Sequence, residues 1–147
     1  YGDHRDLHLS IRRQRQMCIR DRTTLYQIWL EPNRKGGEPL YSEKSLDTET
    51  TKNSLTVLYS GDGRDDSTKI RQDAEILFGE TDTSVEIFKV DANQSLPHAW
   101  LQIISGEVET LGESLKTGDG LAINHAPNGF CMSSKENTKF LLFRLSE

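Results

Sequence analysis

The sequence predicts an all-β protein, a sandwich or barrel of short strands. From Thr23 onward, about nine short apolar runs follow one another at spacings of roughly eight to twelve residues. Turn residues, mainly glycine and aspartate, separate these runs. The same region has no amphipathic helical period. These three observations exclude a helical bundle and favour two packed layers of strands.

Each predicted strand rests on β-rich residues or on alternation of apolar and polar side chains. In chain order the runs are LYQIWL (25–30), LTVLYS (55–60), STKIRQ (67–72), AEILFG (74–79), SVEIFKV (84–90), AWLQIIS (99–105), EVETL (107–111), part of LKTGDGLAI (115–123), and TKFLLFRL (138–145). Turns are predicted at 61–66, within 115–123, and at Ser105-Gly106, which has the pattern of a hairpin. In 84–90 the inward face stays open, because Val85 and Ile87 compete with Phe88 and Val90.

Length and composition limit the class of protein. The chain has 147 residues, a net charge of −5 and 34% hydrophobic residues, which suit one domain or one domain plus part of another. No run of apolar residues is long enough to span a membrane, and the amino terminus has no secretory pattern. The two cysteines, Cys18 and Cys131, form no metal or disulfide motif, so a reducing, cytoplasmic location is expected.

Basic residues are concentrated at the amino terminus. Residues 1–22 hold six arginines against three aspartates, whereas the remaining residues carry a net charge of −8. A basic arm on an acidic body is typical of a nucleic-acid-binding tail. However, RRQRQMCIRDR (12–22) and YGDHRDLH (1–8) resemble two parts of one sequencing-library adapter, translated in a single frame with an index-sized gap between them. We therefore expect residues 1–22 to be an artefact without selected function, and the natural protein to continue upstream of Thr23.

The remaining chain resembles the pirin family, the quercetin 2,3-dioxygenase-like bicupins. The resemblance rests on four motifs in order: the QIW strand followed by P-x-Y in 25–41, SGDGRDDSTKIRQDA (60–74), the W-x-Q-x-x-x-G pattern from Trp100 to Gly106, and the GDG turn at 118–120. It implies a cupin-like jelly-roll barrel, the carboxyl-terminal half of a bicupin. Residues 23–53 would then hold the last strand of the missing amino-terminal cupin and the interdomain connector, and residues 54–147 the second cupin domain.

The resemblance implies a metal site in the missing half, made of three histidines and a glutamate around iron or another divalent metal. A cupin metal site uses an H-x-H pair, because alternate residues of a strand point the same way. Here the matching segment, NQSLPHAWLQIISG, contains only His98. The later histidine of the motif is expected where Pro127 stands, and His125 lies two residues away. We therefore predict no catalytic residue, metal ligand or cofactor in this chain.

The other chemically interesting residues have structural interpretations. His98 is expected to be a rim histidine, and His125 a loop histidine. Cys131 is expected in the core, because no basic neighbour lowers its pKa. Trp29 and Trp100 have the character of core anchors, with stacking on a flavonoid or a base as the alternative. Because LYQIWL would normally pair inside the missing domain, however, Trp29 and Ile28 are expected to be exposed here, or packed against residues 1–22. The acidic residues of the first GDG turn are expected to be solvated rather than to bind calcium (Asp62, Asp65 and Asp66).

Two functions from different classes follow from the resemblance. The intact parent would be a metal-dependent, quercetin 2,3-dioxygenase-like oxidoreductase, of which this chain is an inactive, metal-free half. Its partner would be the missing amino-terminal cupin, and a flavonoid-like small molecule is a candidate ligand. Alternatively, the protein is a non-enzymatic module that binds a small molecule or another protein, as a transcription cofactor does. Nucleic acid and membranes are not expected partners.

Overall fold

Ten β-strands form in the part of the chain that the structure, a computed structural model, describes. It describes residues 24–47, 51–82, 87–125 and 128–146. The strands are β1 (Ser54–Ser60), β2 (Thr68–Lys69), β3 (Ala74–Thr81), β4 (Phe88–Val90), β5 (His98–Ser105), β6 (Glu107–Thr110), β7 (Glu113–Lys116), β8 (Gly120–Ile123), β9 (Phe130–Ser134) and β10 (Thr138–Leu145). The expectations for residues 1–22 and for Pro127 lie outside the described residues.

The strands form two sheets. The larger sheet has the order β2-β1-β3-β10-β5-β8, and the smaller one β4-β9-β6-β7. All neighbours are antiparallel apart from the short parallel pair of β1 and β2. Strand β10 lies inside the larger sheet between β3 and β5, which explains why its sequence is almost continuously apolar.

The core lies between the two sheets and is apolar. It joins residues of the larger sheet to residues of the smaller one: Leu77, Leu101, Ile103, Ile123, Phe140 and Leu142 on one side, and Phe88, Val90, Val108, Leu115, Phe130 and Met132 on the other. The rings of Phe88 and Phe140 meet edge to face, with centroids 5.9 Å apart. Burial of such side chains is the main favourable term in folding.

Most of the predicted strands are confirmed. Strands β1, β3, β5, β6 and β10 coincide with their predicted runs within one or two residues. The run 67–72 forms only the two-residue β2, and Phe88–Val90 of the run 84–90 form β4. There Phe88 and Val90 are buried while Ile87 is 65% exposed, which settles the inward face of this strand. The expectation for Val85 lies outside the described residues.

The predicted hairpin at Ser105-Gly106 is wrong. Strand β5 pairs with β10 and β8, whereas β6 pairs with β7 and β9, so the chain changes sheets at Gly106. Gly106 has φ +92, and a Cβ there would lie 2.3 Å from the Thr138 hydroxyl. The glycine is needed for a tight corner between two sheets, which uses the same turn chemistry as a hairpin.

The chain divides into two units, Tyr1–Leu30 and Glu31–Glu147, and the strands belong to the second. In the first unit, residues 24–30 have no regular secondary structure, although 25–30 was predicted to be a strand. A strand forms only with a partner to complete its hydrogen bonds. In the second unit, residues 31–47 also lack helix and strand. Among the described residues, no helix is long and apolar enough to cross a membrane.

Candidate functional site

A pair of opposite charges stands at one end of the apolar core. Glu75 on β3 and Arg144 on β10 are register partners in the larger sheet. Each lies two residues from a core leucine of its own strand, Leu77 and Leu142, so both side chains are on the inward face. This end is where β3 begins and β10 ends, and it forms one mouth of the sandwich.

Both carboxylate oxygens of Glu75 are occupied. Arg64 Nε donates to Oε1 at 2.7 Å, and Arg144 Nη1 donates to Oε2 at 3.2 Å. Asn93 Nδ2 lies 3.5 Å from Oε2, and Arg144 Nη2 donates to the Asp91 carbonyl at 2.8 Å. Glu75 is the one charged residue that is buried among the described residues. A buried carboxylate requires such partners, because it has lost its hydration.

The 60–74 motif builds the turn that supplies Arg64. The buried Ser60 hydroxyl donates to Asp62 Oδ1 at 2.9 Å and lies 2.7 Å from the Ser67 hydroxyl. It also accepts the Gly63 amide at 2.8 Å, while Asp62 Oδ1 accepts the Arg64 amide at 3.1 Å. These bonds hold a short 3₁₀ turn, Arg64–Asp66, beside the end of β1. The motif therefore positions the Arg64 guanidinium so that it can bind Glu75.

The surroundings of Glu75, Arg64 and Asp62 favour the charged form of each side chain. Burial raises the pKa of Glu75, but its bonds to the Arg64 and Arg144 guanidiniums outweigh burial, and the pKa of Glu75 is lowered overall. The hydrogen bond to Glu75 raises the pKa of Arg64. The backbone amide of Arg64 and the hydroxyl of Ser60 lower the pKa of Asp62. A carboxylate held ionised by two arginines is poorly suited to act as a base or nucleophile near neutral pH.

A surface cavity of about 690 Å³ adjoins the cluster. Its lining includes Asp62, Arg64, Glu75, Asn93 and Leu96. The charged side chains of the cluster that line it, Asp62, Arg64 and Glu75, already have hydrogen-bond partners within the protein.

The metal ligands that a cupin site needs do not come together in the described residues. No group of three or more histidine, cysteine, aspartate or glutamate side chains could hold a metal there. His98 begins β5 and is partly buried, while His125 is exposed in the loop after β8 with φ +59. The described interior is lined by apolar side chains, and its one carboxylate, Glu75, is bound by arginines. The described residues therefore do not fit a resident metal.

Two expectations about burial are wrong. Cys131 is exposed rather than in the core, because it alternates with the inward-facing Phe130 and Met132 on β9. Trp100 is 40% exposed on the outer face of β5, where its ring lies over Gly120 of β8. The expectation that Trp29 and Ile28 are exposed is confirmed, because Trp29, in the segment without a strand partner, is 85% exposed and Ile28 is 39% exposed.

Sequence reasoning recognised the 60–74 motif but assigned no role to Arg64, and it missed Glu75 and Arg144 entirely. A usable signal was present. Both residues interrupt strands that are otherwise apolar, AEILFG and TKFLLFRL. A charge inside such a run predicts either a strand end or a buried ion pair.

Comparisons with known proteins agree with this architecture. The sequence profile of the quercetinase C-terminal cupin domain matches residues 57–145. A protein of Pasteurella multocida is 35% identical over 124 residues, which are 82% of this chain and 50% of that protein. The quercetin 2,3-dioxygenase of Escherichia coli K12 is 32% identical over 104 residues, which are 70% of this chain and 42% of that protein.

Solved structures give the same result. The crystal structure of YhhW from Escherichia coli matches with a TM-score of 0.72 and 28% identity, over 82% of this chain and 49% of that one. The nickel(II) complex of this bacterial pirin matches with a TM-score of 0.70 and 25% identity, over 80% and 48% of the two chains. The chain thus spans about half the length of the relatives it matches. Its jelly-roll sheets, its motifs and the profile match together show that it belongs to the pirin family, as a quercetinase C-terminal cupin domain.

Proposed function

We propose that this chain is the carboxyl-terminal half of a metal-dependent, quercetin 2,3-dioxygenase-like oxidoreductase, and that by itself it is catalytically inactive. The metal, iron or another divalent ion, would be held by a preceding cupin domain. The role of this half would be to pack against that domain and to shape access of a flavonoid-like substrate. The observation that carries the proposal is the mouth of the sandwich, where Glu75 is neutralised by Arg64 and Arg144.

Three further points support this division of labour. The chain matches about half of each relative, and the matching profile is that of a carboxyl-terminal domain. One matching structure is a nickel(II) complex, so a related protein does bind a divalent metal. The exposed free thiol of Cys131 suits a reducing compartment, and we propose a cytoplasmic location.

The test compares the chain with a chimera. The full 147-residue chain is incubated with quercetin and, in turn, with ferrous and nickel salts, while oxygen uptake and bound metal per chain are measured. In the chimera, the amino-terminal half of the Escherichia coli quercetin 2,3-dioxygenase precedes residues 31–147, and that half alone is the control. We expect no oxygen uptake from the chain, and more from the chimera than from the control.

Two results would overturn the proposal. Oxidation of quercetin by the chain alone, with one tightly bound metal per chain, would place the chemistry in this half. A chimera no more active than the amino-terminal half alone would remove the supporting role of residues 31–147 and favour a binding module outside catalysis.

A further inference from the structure

Residues 31–44, here called the strap, have a sequence that is typical of a loose linker. The segment EPNRKGGEPLYSEK contains two prolines, two adjacent glycines and a majority of polar residues. Such composition predicts a chain without its own core and with many accessible conformations. The strap indeed has no helix or strand. Whether it is free or held therefore depends on its contacts with the strands of its own unit.

Arg71, which follows β2, reaches into the strap. Its Nη1 and Nη2 donate to two strap carbonyls, those of Gly36 and Glu38. Its own carbonyl accepts the Asn33 amide at 2.8 Å. The planar, forked guanidinium can bind two carbonyls at once, and bonds from a charged donor are stronger than those between neutral groups.

The next residue extends this contact toward the start of the strap. Gln72 Nε2 donates to the Glu31 carbonyl at 2.6 Å, while Gln72 Oε1 accepts the Asp73 amide at 2.9 Å. The other end of the strap has weaker ties. Thr68 Oγ1 donates to Ser42 Oγ at 3.0 Å, and the exposed pair of Lys44 and Asp66 contributes little. The strongest contacts thus come from two consecutive residues of the 60–74 motif.

The two adjacent glycines shape the strap around the guanidinium. Gly36 and Gly37 have φ +81 and φ +91, a region that favours glycine. A Cβ on Gly37 would lie 2.6 Å from Arg71 Nη1, whereas a Cβ on Gly36 would meet nothing within 4 Å. The backbone of Gly37 therefore approaches the guanidinium as closely as a residue without a side chain allows.

We infer that Arg71 is a clamp that converts a linker-like sequence into an ordered strap. Together with Gln72, which binds the Glu31 carbonyl, the clamp keeps Glu31 at a defined place on the sandwich, so a preceding segment leaves from a fixed point. This role does not depend on the proposed function, since it holds for any segment that precedes the strap. Arg71 and Gln72 of the 60–74 motif thus have a structural role that is separate from the Glu75 cluster.

The test is hydrogen–deuterium exchange of the full chain, read by mass spectrometry on peptides that cover residues 31–44. The Asn33 amide, which donates to the Arg71 carbonyl, should exchange more slowly in the wild-type chain than in a synthetic peptide of the same sequence. In Arg71→Ala the main-chain carbonyl that accepts the Asn33 amide is kept, but the charge-assisted bonds to the Gly36 and Glu38 carbonyls are lost. The strap should then open more often, and exchange of the Asn33 amide should become faster by about tenfold or more. Arg71→Lys should resemble Arg71→Ala, since an ammonium cannot reproduce the fork.

Two glycine variants provide a matched control. Gly36→Ala and Gly37→Ala impose the same kind of backbone strain, but only Gly37→Ala collides with Arg71. We expect Gly37→Ala to open the strap more than Gly36→Ala does. In an Arg71→Ala background the two should have equal effects, and this cycle isolates the contact from general destabilisation. Peptides from β10 report whether any variant unfolds the sandwich.

Either of two results would overturn the inference. One is a wild-type strap that exchanges as fast as the free peptide. The other is an Arg71→Ala variant whose strap exchanges at the wild-type rate while the sandwich is intact.

Discussion

At the scale of single residues, Glu75 is the side chain whose environment is most demanding. It is buried beside an apolar core, and its charge is tolerated because Arg64 and Arg144 bind both oxygens. The exposed ion pairs of the surface differ from the Glu75 cluster, because their charges remain hydrated. Lys135 and Glu109, for example, are 2.6 Å apart but both remain largely in solvent. Removing one partner of a buried pair costs far more than removing one of an exposed pair.

We predict that Glu75→Gln destabilises the protein at neutral pH by about 3 kcal/mol, because Arg144, only 12% exposed, loses its counter-charge. The measurement is urea-induced unfolding. The control, Glu109→Gln, should leave the midpoint unchanged. Equal midpoints for wild type and Glu75→Gln would contradict a stabilising role for the cluster.

This penalty should depend on pH. The pKa of Glu75 is lowered in the folded state below its usual 4.5. Its ionisation therefore stabilises the fold above that value, and the stabilisation is lost as the pH falls through the folded-state pKa. The difference in unfolding free energy between wild type and Glu75→Gln should therefore become smaller below about pH 4.5. If this difference stays constant down to pH 3, the shape of the Glu75 side chain and not its charge causes the effect.

At the scale of elements, the packing of the neighbouring strands β3 and β10 depends on a glycine, whose lack of a side chain leaves room for an aromatic ring. Gly79 and Phe140 are register partners, and a Cβ on Gly79 would lie 2.1 Å from the Phe140 ring. Phe140 is fully buried. The ring therefore occupies the space above the glycine, which allows it to reach Phe88 of the opposite sheet.

Gly79→Ala should destabilise the fold by about 3 kcal/mol, because the buried ring has nowhere to move. Gly120→Ala is a matched control, since Gly120 is also a strand glycine beneath an aromatic ring, that of Trp100. Trp100 is 40% exposed and can swing into solvent, so the cost there should be small. Thermal unfolding compares the two variants. Similar losses of stability would show that the aromatic contact is not the cause.

At the scale of the whole molecule, apolar side chains are exposed in the unit that precedes the strap. Leu25 is 74% exposed and Trp29 is 85% exposed. An extended apolar segment without a strand partner is a site for association with other chains. The double variant Leu25→Ser and Trp29→Ser should therefore self-associate less than wild type in sedimentation velocity. Leu111→Ser, which removes an exposed leucine in another region, should have little effect. Unchanged association in the double variant would mean that a different surface drives it.

The membership in the pirin family was readable from local motifs, and so were most of the strands. The runs AEILFG and TKFLLFRL form β3 and β10, because their apolar and aromatic side chains suit a buried sheet. The exposure of Cys131 and Trp100 could not be predicted from such local patterns. Either phase of a two-residue alternation is compatible with the sequence until the facing sheet is known.

The sequence by itself determined the all-β class, the positions of most strands and turns, and the family. Only the tertiary structure decided which strands pair, that the chain changes sheets at Gly106, and that residues distant in sequence meet. Arg144 reaches Glu75 across 69 residues, and Arg71 reaches Gly36 across 35. The physical reason is that strand propensity and turn chemistry are local, whereas pairing and the neutralisation of a buried charge depend on contacts that form only when distant segments come together.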